Sequence, residues 1–243
     1  MITKTNNLVT NLIFTTAILL FAVGTYFFFS KQEELFLIPN SRNFKINSYN
    51  DSELGGNSGD YLAVNLDSTS YSLSYSLGNQ LRYSFVGLVL ELANDRVIDL
   101  SDYTTVEITV KALKGQIIPF YIKGQHLGYS TVGEVNTYVP FKYEMPVSTN
   151  MTTLTMELEE FSIPKWWLDR NNVKKRIEFS EVSKNVLSFN FENCTLIDDG
   201  VQDLLTIEKI MFFKKDKKSP ILFLAGALFL LLGFAARKRA SKA

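Results

Sequence analysis

The chain has 243 residues, with 25 Lys plus Arg against 25 Asp plus Glu and a formal net charge near zero at pH 7. A balanced charge makes no field that draws in a polyanion, which removes most of the case for nucleic acid as a partner. Cys194 is the only cysteine, so no intramolecular disulfide forms; His126 is the only histidine, so a metal site built on several histidines or on a Cys/His cluster is excluded.

Residues 8–29 carry no charge and are long enough for a helix to cross a bilayer, which takes about 20 apolar residues. A cleaved signal peptide is the competing reading, against which stand the length of the apolar run and the lack of a small-x-small cleavage site after it. Residues 1–7 read as a short tail and 30–43 as a linker.

From 44 to 213, short runs with period-two alternation recur. Tyr71, Leu73, Tyr75 and Leu77 alternate with serines, giving one apolar or aromatic face and one hydroxyl face. Residues 83–92 are almost continuously apolar, as expected of a central strand, while Pro119 inside 117–122 suggests an edge strand or a bulge. Val106, Ile108 and Val110 alternate with Glu107, Thr109 and Lys111; Leu154, Met156 and Leu158 with Thr155, Glu157 and Glu159; Leu187, Phe189 and Phe191 with Ser188, Asn190 and Glu192. Leu205 and Ile207, with Lys209, complete the series. Glycine-rich turns such as 54–59 separate the runs, and no amphipathic helix of ordinary length interrupts them. Nine or ten strands in such a stretch imply a mostly β fold, a two-sheet sandwich large enough to bury a core without disulfides.

A basic segment, 214–219, leads into a second apolar run, 220–236, that ends in Arg237, Lys238 and Arg239 within the tail 237–243. It reads as a second membrane helix, with a buried core helix or a removable sorting tail as alternatives. Two spans place both termini on one side. The basic residues near the spans do not favour either side. Long domains, however, translocate largely regardless of charge. The expectation is therefore a two-pass protein of the cell (inner) membrane with its central domain outside the cytoplasm. A tail as short as 237–243 cannot fold into an output domain, so a membrane protein partner or a homo-oligomer is expected. Gly226 and Gly233 on one span, and Asn11 and Thr15 on the other, are candidate helix contacts.

Three landmarks carry a family resemblance. They are Asp51-Ser52-Glu53-Leu54-Gly55-Gly56-Asn57-Ser58; the run 85–90 followed by Ile98-Asp99-Leu100-Ser101-Asp102-Tyr103; and Phe161-Ser162-Ile163-Pro164-Lys165-Trp166-Trp167 followed by the strands at 186–191 and 205–210. In this order and spacing the chain resembles the galactose-binding-like jelly rolls, which include carbohydrate-binding modules and the complex I intermediate-associated protein domain. The Pro-x-Trp-Trp segment looks like that of extracytoplasmic jelly rolls on bacterial membrane signalling proteins. The resemblance covers most of 44–213 and implies a β-sandwich jelly roll between two transmembrane α-helices.

Candidate sites follow from residue chemistry. Trp166 and Trp167 can stack on a sugar ring, although adjacent strand residues point to opposite faces, and closing the core is their plainer role. Tyr71 and Tyr75 share a strand face and can form a platform with Tyr121, Tyr138 or Tyr83, or else lie in the core. Asp51, Glu53 and Asp60 beside Gly55-Gly56 suit one structural Ca²⁺, such as related jelly rolls often carry, or are simply turn formers. Glu159 and Glu160 are adjacent and cannot flank one glycosidic bond. No phosphate-binding or dinucleotide-binding glycine motif and no nucleophile elbow is present. Together these features suggest a non-enzymatic, membrane-anchored module. It would recognise a carbohydrate or another envelope ligand; the alternative is an assembly subunit whose sandwich docks a protein.

Overall fold

A computed structural model of the chain describes residues 15, 16, 18, 19, 21, 22, 34–38, 44–64, 70–92, 96–114, 116–193 and 200–214. The chain divides into two units, Glu34–Lys214, and Met1–Glu33 with Lys215–Ala243. The expected span 220–236 lies outside the described residues; of 8–29 only six residues are described, all helical. Among the described residues no helix is long and apolar enough to cross a membrane.

The unit Glu34–Lys214 is a sandwich of two antiparallel sheets. Its described strands are β1 (Glu34–Ile38), β2 (Phe44–Asn50), β3 (Gly59–Val64), β4 (Tyr71–Ser76), β5 (Val86–Leu92), β6 (Tyr103–Ala112), β7 (Gln116–Gly124), β8 (Val139–Val147), β9 (Thr152–Glu157), β10 (Val186–Asn193) and β11 (Gln202–Lys214). One sheet runs β3-β4-β11-β6-β9, with β1 also paired to β11; the other runs β2-β5-β10-β7-β8. Strand β1 falls inside the stretch read as linker. Its Leu37 and Ile38 are fully buried, which is why residues 34–38 join the sheet.

The alternation places the core as expected along most strands. Tyr71, Leu73 and Tyr75 of β4 point inward with their serines outward, and Val106, Ile108, Val110 and Ala112 of β6 are completely buried. Strand β11 breaks period two. The register shifts between Ile207 and Lys209, and beyond that bulge Ile210 and Phe212 take the inward positions. The proline strand β7 is not at an edge but lies between β10 and β8. The ladder from β7 to β10 ends at Phe120, so the N–H that Pro119 lacks is not called on there.

Aromatic rings join the two sheets. Phe120 packs on Phe191 with centroids 4.9 Å apart and edge-on to Phe161 at 6.0 Å. Phe189 meets Phe212 of the opposite sheet at 5.5 Å. Each such ring contributes roughly 1.5–3 kcal/mol by burial.

Strand pairing also fixes where the chain enters and leaves the sandwich. Glu34, the first residue of β1, pairs with Phe213, and Lys214, the last of β11, pairs with Tyr103. At this exit end the segment 96–102 reaches across to the start of β10 and the turn before it, since Ile98 bridges Val186 and the Leu100 N–H donates to Ser183 O at 2.7 Å. Gly124, which ends β7, also pairs with Val186, so the β7–β8 loop lies at the same end.

The far end is held by the turn after β2. Asn50 Oδ1 accepts the Ser52 N–H, and Gly55 closes the 3₁₀ turn Asp51–Leu54 in the left-handed region at φ +86°. Asp51 is fully buried. It accepts the Ser58 N–H at 3.0 Å and the Ser58 hydroxyl at 2.8 Å, and Ser58 Oγ in turn accepts the Gly78 N–H. A Cβ on Gly56 would lie 2.2 Å from Asp51 Cγ, so only glycine leaves room for this carboxylate. Asp51→Ala is expected to lower unfolding free energy in urea by about 2–3 kcal/mol, the scale of lost hydrogen bonds to a charged group. Leu54→Ala, at an exposed position of the same turn, is the control expected to stay near wild type.

Candidate ligand-binding face

The five-stranded sheet turns an unusual surface away from the core. On β10, Phe189 and Phe191 face inward, so Ser188, Asn190 and Glu192 face outward. Their neighbours in register are Glu91, Val89 and Gly87 on β5, and Lys123 and Tyr121 on β7 opposite Ser188 and Asn190. Tyr49 of β2 pairs with Gly87, and Lys142 of β8 with Tyr121. A solvent-facing sheet surface leaves short polar side chains wet. Here Asn190 is only 4% exposed and Ser188 3%, with Val89 and Tyr121 also buried.

These polar groups satisfy one another. The Tyr49 hydroxyl donates to Glu192 Oε2 at 2.9 Å and accepts from Asn190 Nδ2 at 3.5 Å, while Ser188 Oγ donates to Asn190 Oδ1 at 3.2 Å. Lys123 Nζ stands 5.9 Å from the centroid of the Tyr121 ring. Burial pushes the Tyr49 phenol well above its ordinary value, and the charge of Glu192 pushes the same way. Burial pulls the Lys123 ammonium below the usual lysine range, opposed by Glu192 and Glu91. The arrangement is a fixed set of hydroxyl, amide, carboxylate and ammonium groups among two tyrosine rings, the chemistry that reads a polyhydroxylated ligand.

Of the tyrosines expected on a platform, Tyr121 belongs to this face, and Tyr83 is exposed in the turn before β5. Tyr71 and Tyr75 point between the sheets. The Tyr75 hydroxyl donates to buried Asp203 at 2.8 Å and accepts from Gln116 Nε2 and Asn193 Nδ2; Asp203 also accepts from Gln116 and from the N–H groups of Lys114 and Leu204. Burial and the Asp203 charge push this phenol far up, so it stays a neutral structural donor. Tyr138 is buried at the start of β8, where its hydroxyl accepts the Gly133 N–H.

The two tryptophans lie in a short helix, Lys165–Arg170, rather than a strand, because Pro164 begins a helical turn there. Trp167 is 1% exposed and closes the exit end of the core against Tyr129, its Nε1 finding no acceptor among the described residues. Trp166 is 55% exposed. The carboxylates proposed for calcium do not converge. Asp51 is taken up by Ser58, Asp60 accepts from Asn50 Nδ2, and Glu53 is exposed. Among the described residues no group of three or more His, Cys, Asp or Glu is placed to hold a metal ion.

Sequence reasoning missed Tyr49, Gly87, Glu91 and Lys123. The alternation Lys45-Ile46-Asn47-Ser48-Tyr49 was a signal for Tyr49; nothing local marked Gly87. A Cβ at Gly87 would come within 2.3 Å of Tyr49 Cζ, so glycine lets the ring lie down over β5. Gly87→Ala is expected to displace that ring from Glu192 and cost about 1–3 kcal/mol, the usual penalty of overpacking. Thermal unfolding and the near-ultraviolet tyrosine signal measure both effects.

No protein-family model matches the chain, and no curated protein matches it. Solved structures do. The chain is similar to the family 11 carbohydrate-binding module of the cellulosomal cellulase Lic26A-Cel5E of Clostridium thermocellum, at 13% identity over 76% of this chain and 97% of that module, with a TM-score of 0.51. It is likewise similar to the solution structure of CtCBM11, at 14% identity over 78% of this chain and 99% of that one, with a TM-score of 0.54. At such identity the likeness is one of fold, and the unit Glu34–Lys214 has the jelly-roll β-sandwich fold of carbohydrate-binding modules.

Proposed function

We propose that the chain is a non-catalytic carbohydrate-binding module anchored in the cell membrane by residues 8–29 and 220–236, and that its sugar lies on the outer face of the five-stranded sheet. The observation that carries the reading is the polar and aromatic floor of that face, in which Tyr121 and Asn190 are buried and Tyr49, Lys123 and Glu192 half-buried. The shared fold with a carbohydrate-binding module of a cellulase supports it.

Placement of the domain outside the cytoplasm and action through a membrane partner belong to the same proposal.

The test is binding of the purified full chain to a panel of soluble cell-wall polysaccharides, β-glucans among them, by affinity electrophoresis and calorimetry. Tyr121→Ala and Asn190→Ala are each expected to weaken binding about tenfold, equivalent to roughly 1.4 kcal/mol. Leu113→Ala, at an exposed position in the turn after β6, is expected to leave binding unchanged. Wild-type protein that retains no polysaccharide but co-purifies with a stoichiometric membrane protein would favour the assembly-subunit reading instead.

A further inference from the structure

The exit end of the sandwich carries apolar side chains that the core does not use. The β7–β8 loop, 125–138, is long and internally bonded. His126 N–H donates to Ser130 Oγ at 3.0 Å, Thr131 N–H to Thr137 Oγ1 at 2.8 Å, and Gly133 N–H to the Tyr138 hydroxyl at 3.2 Å. Its ring contacts, His126 on Tyr129 and Tyr129 on Trp167, fix it against the helix Lys165–Arg170. Yet Leu127 is fully exposed, Val132 nearly so, and Val135 and Trp166 about half. A rigid loop that displays aliphatic tips beside an outward tryptophan is built to meet an apolar surface.

The path of the chain says which surface. Glu34 pairs with Phe213 and Lys214 with Tyr103, so both chain ends leave the sandwich at this same end. Glu34 follows Phe29 by five positions, and Lys214 precedes Pro220 by six. An extended chain covers at most about 3.3–3.6 Å per residue, which tethers each exit within roughly 17–22 Å of an apolar segment. Tryptophan is the residue enriched at membrane–water interfaces, and the exposed Lys174, Lys175 and Arg176 beyond the helix suit lipid headgroups.

We infer that the loop tip at Leu127 and Val132, together with Trp166, rests in the interfacial layer of the bilayer. A third contact of this kind, beside two chain tethers, restricts tilting of the sandwich. The inference rests on the membrane-spanning reading of 8–29 and 220–236.

The full chain contains only Trp166 and Trp167, and the latter is shielded in the core, so quenching of the tryptophan emission by lipid-borne bromine reports on Trp166. The chain is reconstituted in phosphatidylethanolamine–phosphatidylglycerol vesicles with plain or brominated acyl chains. Bromination near the headgroup is expected to quench the emission. Trp166→Phe should abolish that quenching, and the exposed-site double variant Leu127→Asp/Val132→Asp should at least halve it. Protein that stays with the vesicles through an alkaline wash but shows equal emission in plain and brominated lipid overturns the inference alone. Protein released by alkali overturns the membrane-spanning reading and the inference with it.

Discussion

The contact between Phe189 and Phe212 ties the two sheets together, and the rest of the sandwich is arranged around it. Phe189 lies on β10 at the middle of the five-stranded sheet, and Phe212 on β11 at the middle of the other. Phe44 and Phe120 pack against the first ring and Tyr103 against the second. Once Phe189 and Phe191 are committed inward, the period of two leaves no choice for Ser188, Asn190 and Glu192. A one-residue slip of β10 would bury a carboxylate and an amide in an aromatic core, at a cost of several kcal/mol per group. The outer polar face is therefore held in place by the same register that holds the core.

That outer face is rigid for a second reason. Its groups are buried or half-buried and bond to one another, so few rotamers are left to them. Tyr49 bridges Glu192 and Asn190 only because Gly87 offers no side chain beneath it. Burial disfavours the charge of Lys123, and the charges of Glu192 and Glu91 oppose that effect. Fixed polar groups beside aromatic rings favour a neutral, hydroxyl-rich ligand over a strongly charged one.

The fold was largely legible in the sequence because a half-buried antiparallel strand writes its environment in alternation. Tyr71, Leu73 and Tyr75, or Val106, Ile108 and Val110, needed no other signal. The failures have physical causes. The bulge at Ile207–Lys209 adds one residue and inverts the pattern after it. Pro119 reads as an edge marker, yet it sits in an inner strand just where one ladder stops. The site was less legible. Tyr75 looked like a platform residue since nothing local announces Asp203, which lies 128 positions away and takes its hydroxyl. Asp51 looked like a calcium ligand because a carboxylate beside two glycines reads the same whether it binds a metal or a serine seven residues on.

The polar face and the apolar loop tip serve different ends of the same strands. Tyr49, Gly87 and Glu192 line up near the far end, where β2 finishes and β5 begins, whereas Leu92, Gly124 and Val186 mark the exit end. From Gly87 to Leu92 is five residues, about 17 Å at 3.4 Å per residue. The Tyr49–Glu192 pair and the loop 125–138 are therefore set apart by about that length along the strands. A polymer crossing the sheet at that pair would run over β2, β5, β10, β7 and β8 in turn, clear of the loop 125–138, because the strand order sets its path across the sheet and the strand length sets its distance from the loop.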